Sequence, residues 1–118
     1  MNLSDYAARD ALALADLVAQ DEVTARELAE CATEAAARVN PQLNAIREIY
    51  TDVVADPGTI SGGTFAGVPF LLKDLSATQA GRRQESGSLM LKGHIADADS
   101  EIVRRLRQSG LNLMGRTA

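Results

Sequence analysis

The chain has 118 residues, a net charge of −4, one histidine, one cysteine and no tryptophan. Hydrophobic residues make up 46% and aromatics only 3%, so a core must be built from Ala, Leu, Val and Ile, in one domain or part of one. The acidic balance excludes nucleic-acid binding by bulk electrostatics. A lone cysteine excludes an internal disulfide, and no apolar run approaches the ~20 residues that cross a bilayer.

Asp5 and Asp10 stand among the first residues with no long apolar segment, which does not read as a signal peptide and makes the cytoplasm the expected compartment. Asp10 is placed to cap a helix running to about Gln20, with Ala11, Leu14, Ala15 and Val18 on one face. Thr24-Ala25-Arg26-Glu27 is a capping box: the Thr24 hydroxyl accepts the N–H three residues on, and Glu27 reaches back to the Thr24 N–H. The helix it opens places Leu28, Cys31, Ala35 and Val39 on one stripe and is expected to stop at Asn40, because Pro41 disfavours the helical conformation before it. Cys31 on that stripe reads as a small buried hydrophobe.

Asn44 to Tyr50 reads as a strand, closing an N-terminal helical hairpin over residues 1–50. Residues 51–66 turn to Asp-Pro-Gly and Ser61-Gly62-Gly63, the composition of a flexible connector. From Gly67 a continuous apolar run, Val68-Pro69-Phe70-Leu71-Leu72, ends in Lys73-Asp74. Such a run suits a strand covered on both faces. After Gly81, Gly87 and Gly93, Asp97 or Asp99 is placed to cap a further helix. Ile102, Val103 and Leu106 should face inward there and Arg104, Arg105 and Arg107 outward, with Gly110 as the terminating glycine. Leu111 to Met114 then reads as a second strand, ending at Gly115. The fold class is therefore α/β: a helical hairpin, then a partial parallel or mixed sheet with helices over 67–118, the start of an incomplete single domain.

On pattern alone Lys73 is a strand end turning into solvent, since lysine is rarely buried. Neighbouring strand residues point to opposite faces, so an ion pair between Lys73 and Asp74 would need a turn. The ordered set of motifs changes that reading. Gly67-Val68-Pro69-Phe70-Leu71-Leu72-Lys73-Asp74, then Gly87-Ser88, then Asp99-Ser100-Glu101-Ile102-Val103-Arg104-Arg105-Leu106, then Gly110 and Gly115-Arg116-Thr117 together resemble the amidase-signature family. The stretch from Leu14 to Asn44-Ala45 is similar to the N-terminal helices of bacterial members.

The resemblance implies amide C–N hydrolysis through a Ser–cis-Ser–Lys triad, with Lys73 matching the lysine and no cofactor or metal. A free lysine, with a pKa of about 10.4, is cationic at neutral pH. A lysine base therefore requires a dry setting that penalises its ammonium form. In the family both serines and the oxyanion loop lie in a later glycine-serine-rich segment, so the 118-residue chain is expected to be inactive alone. A small-molecule amide becomes a substrate only if that later part is supplied. Ser86 and Ser88 read as turn-forming hydroxyls, and His94 as a surface residue, one imidazole being too few for zinc.

Departures from the family pattern are informative. Leu75 stands where glutamyl-tRNA amidotransferase subunits usually have Asn, which points toward a general amidase. Ala118 stands where Asn is usual, and Arg83 and Glu85 replace the commoner Pro and Thr. Thr51 to Gly63 reads as short and irregular where members usually carry a helix. The alternative function is a non-catalytic remnant whose open sheet edge mediates self-association. A nucleic-acid site on Arg104, Arg105 and Arg107 is set aside for lack of a basic field, and no membrane partner is expected.

Overall fold

The computed structural model describes residues 1–60 and 62–118; the Ser61 part of the Ser-Gly-Gly connector lies outside the described residues. Helix α1 (Leu3–Ala7) is capped by Asn2, whose side chain accepts the Asp5 N–H. Five residues are too few for periodicity to reveal such a helix. Helix α2 (Ala11–Ala19) begins where sequence places it, with Asp10 accepting the Ala13 N–H at 2.9 Å, and buries Leu14 and Ala15. Helix α3 (Ala25–Leu43) opens on the complete Thr24–Glu27 capping box.

Helix α3 does not stop at Asn40 but runs through Pro41 to Leu43, ending at Asn44 with φ 50°. The reason is tertiary. The Asn40 side chain bonds Ile46 twice, accepting its N–H at 2.8 Å and donating to its carbonyl at 3.0 Å, which holds Asn40 helical against the pre-proline preference. Along the expected stripe Leu28 and Cys31 are buried, whereas Val39 is 48% exposed. Cys31 donates to the Met1 carbonyl, and burial pushes its thiol pKa up.

Strand β1 (Ile46–Ile49) leads into helix α4 (Thr51–Ala55), so the stretch expected to be irregular starts with a short helix. Arg82 ties α4 to a distant loop by a two-point pair with Asp52, at 2.7 and 3.1 Å, while its guanidinium lies 4.1 Å from the Tyr50 ring centre. Strand β2 (Pro69–Lys73), helix α5 (Glu101–Gln108) and strand β3 (Asn112–Thr117) form the βαβ unit, with β2 and β3 parallel from Pro69–Asn112 to Lys73–Thr117. The sheet order is β1-β3-β2, with β1 antiparallel to β3.

Two details of that unit differ from expectation. The cap of α5 is Ser100, not Asp97 or Asp99. Asp99 is instead drawn away by the Ala80 N–H and by Arg107. Strand β3 continues past Gly115, because Arg116 and Thr117 still pair with both neighbours. Gly115 suits the centre of the sheet: a Cβ there would collide with the Glu48 carbonyl oxygen and lie 2.8 Å from Leu71 Cδ2.

The core has two centres. Leu14, Ala15, Val23, Leu28 and Val68 pack the helices against the start of β2, and Leu72, Val103 and Leu113 pack α5 against the sheet. Leu28 and Val103 are fully buried, each contributing about 1.5–3 kcal/mol by leaving water. Ile102, expected inside, is 57% exposed, because the inward stripe of α5 runs through Val103 and Leu106. Arg104 and Arg105 pair with Glu101 on the outer face. Strand β2 is not covered on both faces either. Leu72 is buried, but Phe70 is 36% exposed beside an open apolar groove of about 290 Å³ under α3, since β2 is an outer strand. No helix among the described residues is long and apolar enough to cross a membrane.

Candidate active site

Parallel pairing sets the carboxyl ends of β2 and β3 side by side, the position where α/β sheets collect ligands. Lys73 closes β2 opposite Thr117, and Lys73 is exposed, its Nζ donating to the Ala118 carbonyl oxygen at 3.0 Å. Asp74, the next residue, is 7% exposed and pairs with Arg116. Lys73 and Asp74 do not pair with each other: each is engaged elsewhere.

Asp74 belongs to a buried charge cluster around Arg116. The Arg116 guanidinium donates to Glu48 Oε2 at 2.9 Å and to Glu85 Oε1 at 2.8 Å, and its Nη1 lies 2.9 Å from Asp74 Oδ2. The last contact is an ion pair without hydrogen-bond alignment, since Nη1 has no aligned acceptor. Burial by itself would lower the Arg116 pKa, but its three carboxylate partners outweigh that and hold it above the ordinary arginine value. Thus β1, the end of β2 and the following loop are all fastened to one residue of β3. Sequence reading did not single out Arg116 as a site residue; the signal was an arginine separated by one residue, Gly115, from the run of Leu111 to Met114.

The loop is positioned through Glu85. Its N–H donates to Asp74 Oδ1 at 2.8 Å, and its carboxylate accepts the Gly93 N–H as well as Arg116. Those bonds, the Gly93 N–H first, lower the Glu85 pKa. Ser86 and Gly87 follow with φ 52° and 64°, a left-handed pair that turns the chain back. Ser86 Oγ accepts from Gln84 Nε2 and Ser88 Oγ from the Met90 N–H, so both hydroxyls serve the turn. His94 is exposed, and its backbone bonds Leu91 and Gln84.

Lys73, Asp74, Glu85, Ser86, Ser88 and Arg116 all line one open depression of about 730 Å³. Neither serine hydrogen-bonds Lys73 among the described residues.

Comparison with known proteins decides the family. The amidase family model matches residues 27–118. The chain belongs to the amidase family. A 6-aminohexanoate-cyclic-dimer hydrolase of Paenarthrobacter ureafaciens is 36% identical over 111 residues, 92% of this chain and 22% of that protein. A lipoamidase of Enterococcus faecalis is 35% identical over 117 residues, 97% of this chain and 16% of that protein. A solved structure of 6-aminohexanoate cyclic dimer hydrolase superposes with a TM-score of 0.85 at 34% identity, over 99% of this chain and 24% of its own. This amidase chain thus spans about a fifth of the curated hydrolase it resembles. The likeness extends over the helices as well as the sheet, so Lys73 and the Arg116 cluster sit within a fold that other amidases share.

Proposed function

We propose that this amidase chain supplies the lysine of an amide-hydrolysing site, with Lys73 as the base of a Ser–cis-Ser–Lys triad whose serines lie outside these residues. In that scheme the nucleophilic serine Oγ attacks the amide carbonyl carbon while its proton passes through the second serine to Lys73 Nζ. The tetrahedral oxyanion is held by backbone N–H groups. Collapse breaks the C–N bond, and the lysine proton travels to the leaving amine. Water then attacks the acyl ester by the same relay, releasing the acid and restoring the serine.

The supporting observation is the place of Lys73 at the carboxyl end of a strand, opening on a roomy depression whose wall is fastened by Arg116. Lys73 is exposed here, so the dry setting that base catalysis needs has to be completed by protein folded over this depression. The 118-residue chain should show no turnover of a chromogenic anilide above buffer. Turnover that disappears in Lys73→Ala would overturn the assignment of the serines. Fused to the remaining part of the 6-aminohexanoate-cyclic-dimer hydrolase it resembles, the chain should support hydrolysis that falls by at least about a thousandfold in Lys73→Ala, the scale of losing a triad member. An unaffected rate in that variant would remove Lys73 from the mechanism.

A second reading, self-association without catalysis, draws on the sheet order. Strands β1 and β2 are both outer strands among the described residues, and Phe70 and Val39 are exposed near the groove under α3. Open edges of this kind template pairing with another chain. Light scattering of the chain should then give a dimer or larger assembly, and a monodisperse monomer ends this reading.

A further inference from the structure

Most cations without a carboxylate partner among the described residues gather at the end of β2. Of its 12 lysines and arginines, Arg26, Arg38, Arg82, Arg104, Arg105, Arg107 and Arg116 each have a carboxylate partner. Arg9 donates to the Asp5 carbonyl. Arg9 therefore has no carboxylate partner among the described residues, and neither do Arg47, Lys73, Arg83 and Lys92; the last four all line the depression at the end of β2. Asp74 and Glu85, which line it too, are engaged by Arg116. Setting Asp74, Glu85 and Glu48 against the five cations that include Arg116 still leaves the cations in excess. Among the described residues this hollow thus keeps an excess of positive charge, in a chain of net −4.

The same hollow has an apolar side. Leu75, 51% exposed, and Leu89, 90% exposed, are among its lining residues. Its volume of about 730 Å³ is within the ordinary range of small-molecule sites.

We propose that this depression is a subsite for a carboxylate carried on an apolar chain, so that the amide handled beside Lys73 is an N-acylated amino acid. The carboxylate meets Arg47, Arg83 and Lys92, and the acyl chain lies along Leu75 and Leu89. The amide part of this assignment rests on the hydrolytic reading above, but the carboxylate part does not, because binding is measured without turnover. Several exposed cations acting on one carboxylate give a preference of about tenfold.

The test uses the 118-residue chain, titrated with N-hexanoylglycine and with its neutral analogue N-hexanoylglycinamide, followed by two-dimensional NMR. N-hexanoylglycine should bind about tenfold more tightly, shift the amides of Leu75 and of residues 86–92, and weaken in 0.5 M salt, which screens such pairs. The double variant Arg83→Gln/Lys92→Gln, its fold checked by spectral dispersion, should bring the two ligands within about twofold of each other. Arg26→Gln, a cation removed elsewhere, should leave the preference intact. Equal affinity for acid and amide, or shifts confined to the groove under α3, overturns the proposal. Inorganic phosphate binding as tightly as N-hexanoylglycine overturns the apolar-carboxylate assignment. Selective binding together with no Lys73 effect in the fused hydrolase would refute the hydrolytic reading alone.

Discussion

Replacing Arg116 by Met tests whether one buried cation organises the candidate site. The variant keeps a flexible apolar stem in the strand but leaves Glu48, Asp74 and Glu85 facing one another without their shared partner. Removing one member of a buried pair costs about 3–5 kcal/mol, chiefly because the other charge is stranded. Asp74 is the group stranded here, 7% exposed and left with the Glu85 N–H as its hydrogen bond. Glu48, whose side chain is 36% exposed, reaches water and adds little. The low end of the range, about 3 kcal/mol, is therefore expected. It is a large part of the 5–15 kcal/mol that holds a typical domain together, and corresponds to a drop of roughly 12 °C in Tm at this size.

The measurement is urea and thermal unfolding of the wild type, Arg116→Met, and Arg116→Met with Asp74→Asn. The double variant keeps an amide oxygen for the Glu85 N–H but removes the stranded charge, so it should regain more than half of the loss. A single variant costing less than about 1 kcal/mol, against the several expected of a broken buried pair, would refute the cluster's role. So would a double variant no more stable than the single one, because the stranded charge would then not be the cause.

Two further outcomes follow from the same geometry. Gly115→Ala should cost about 2–3 kcal/mol, the range of overpacking, because its Cβ meets the fixed Glu48 carbonyl; a loss under ~0.5 kcal/mol in urea would show that β1 yields without cost. Acid sensitivity should come from Asp52, lowered by Arg82, and Glu85, lowered by Gly93 and Arg116. A carboxylate with a lowered folded pKa contributes stability that is fully present above its unfolded value, 3.8 for Asp52 and 4.5 for Glu85. That stability disappears as pH falls through the folded value. The urea midpoint should hold steady from neutrality to about pH 5 and fall below that, with a shallower fall in Glu85→Gln; a midpoint that rises on acidification contradicts the assignment.

Local chemistry by itself determined where the helices of the first half begin and where β2 ends. The caps at Asp10 and Thr24–Glu27 act within three residues, and the Leu72-Lys73 step from apolar to charged marks the strand end. The order of motifs from Gly67 to Thr117 was likewise a property of the chain alone, and it led to the family.

Tertiary structure decided whatever depends on which distant segments meet. Arg116 finds Glu48 across 68 positions and Glu85 across 31, a meeting that exists only because β3 runs between β1 and β2. Val39 sits on a helical stripe that periodicity assigns to a core yet remains 48% exposed, and Ile102, expected inside, falls beside the stripe of Val103 and Leu106 that meets the sheet. Asn40 stays helical before a proline because its side chain holds Ile46. Periodicity specifies which side chains share a face, whereas burial and ion pairing depend on what that face meets in three dimensions.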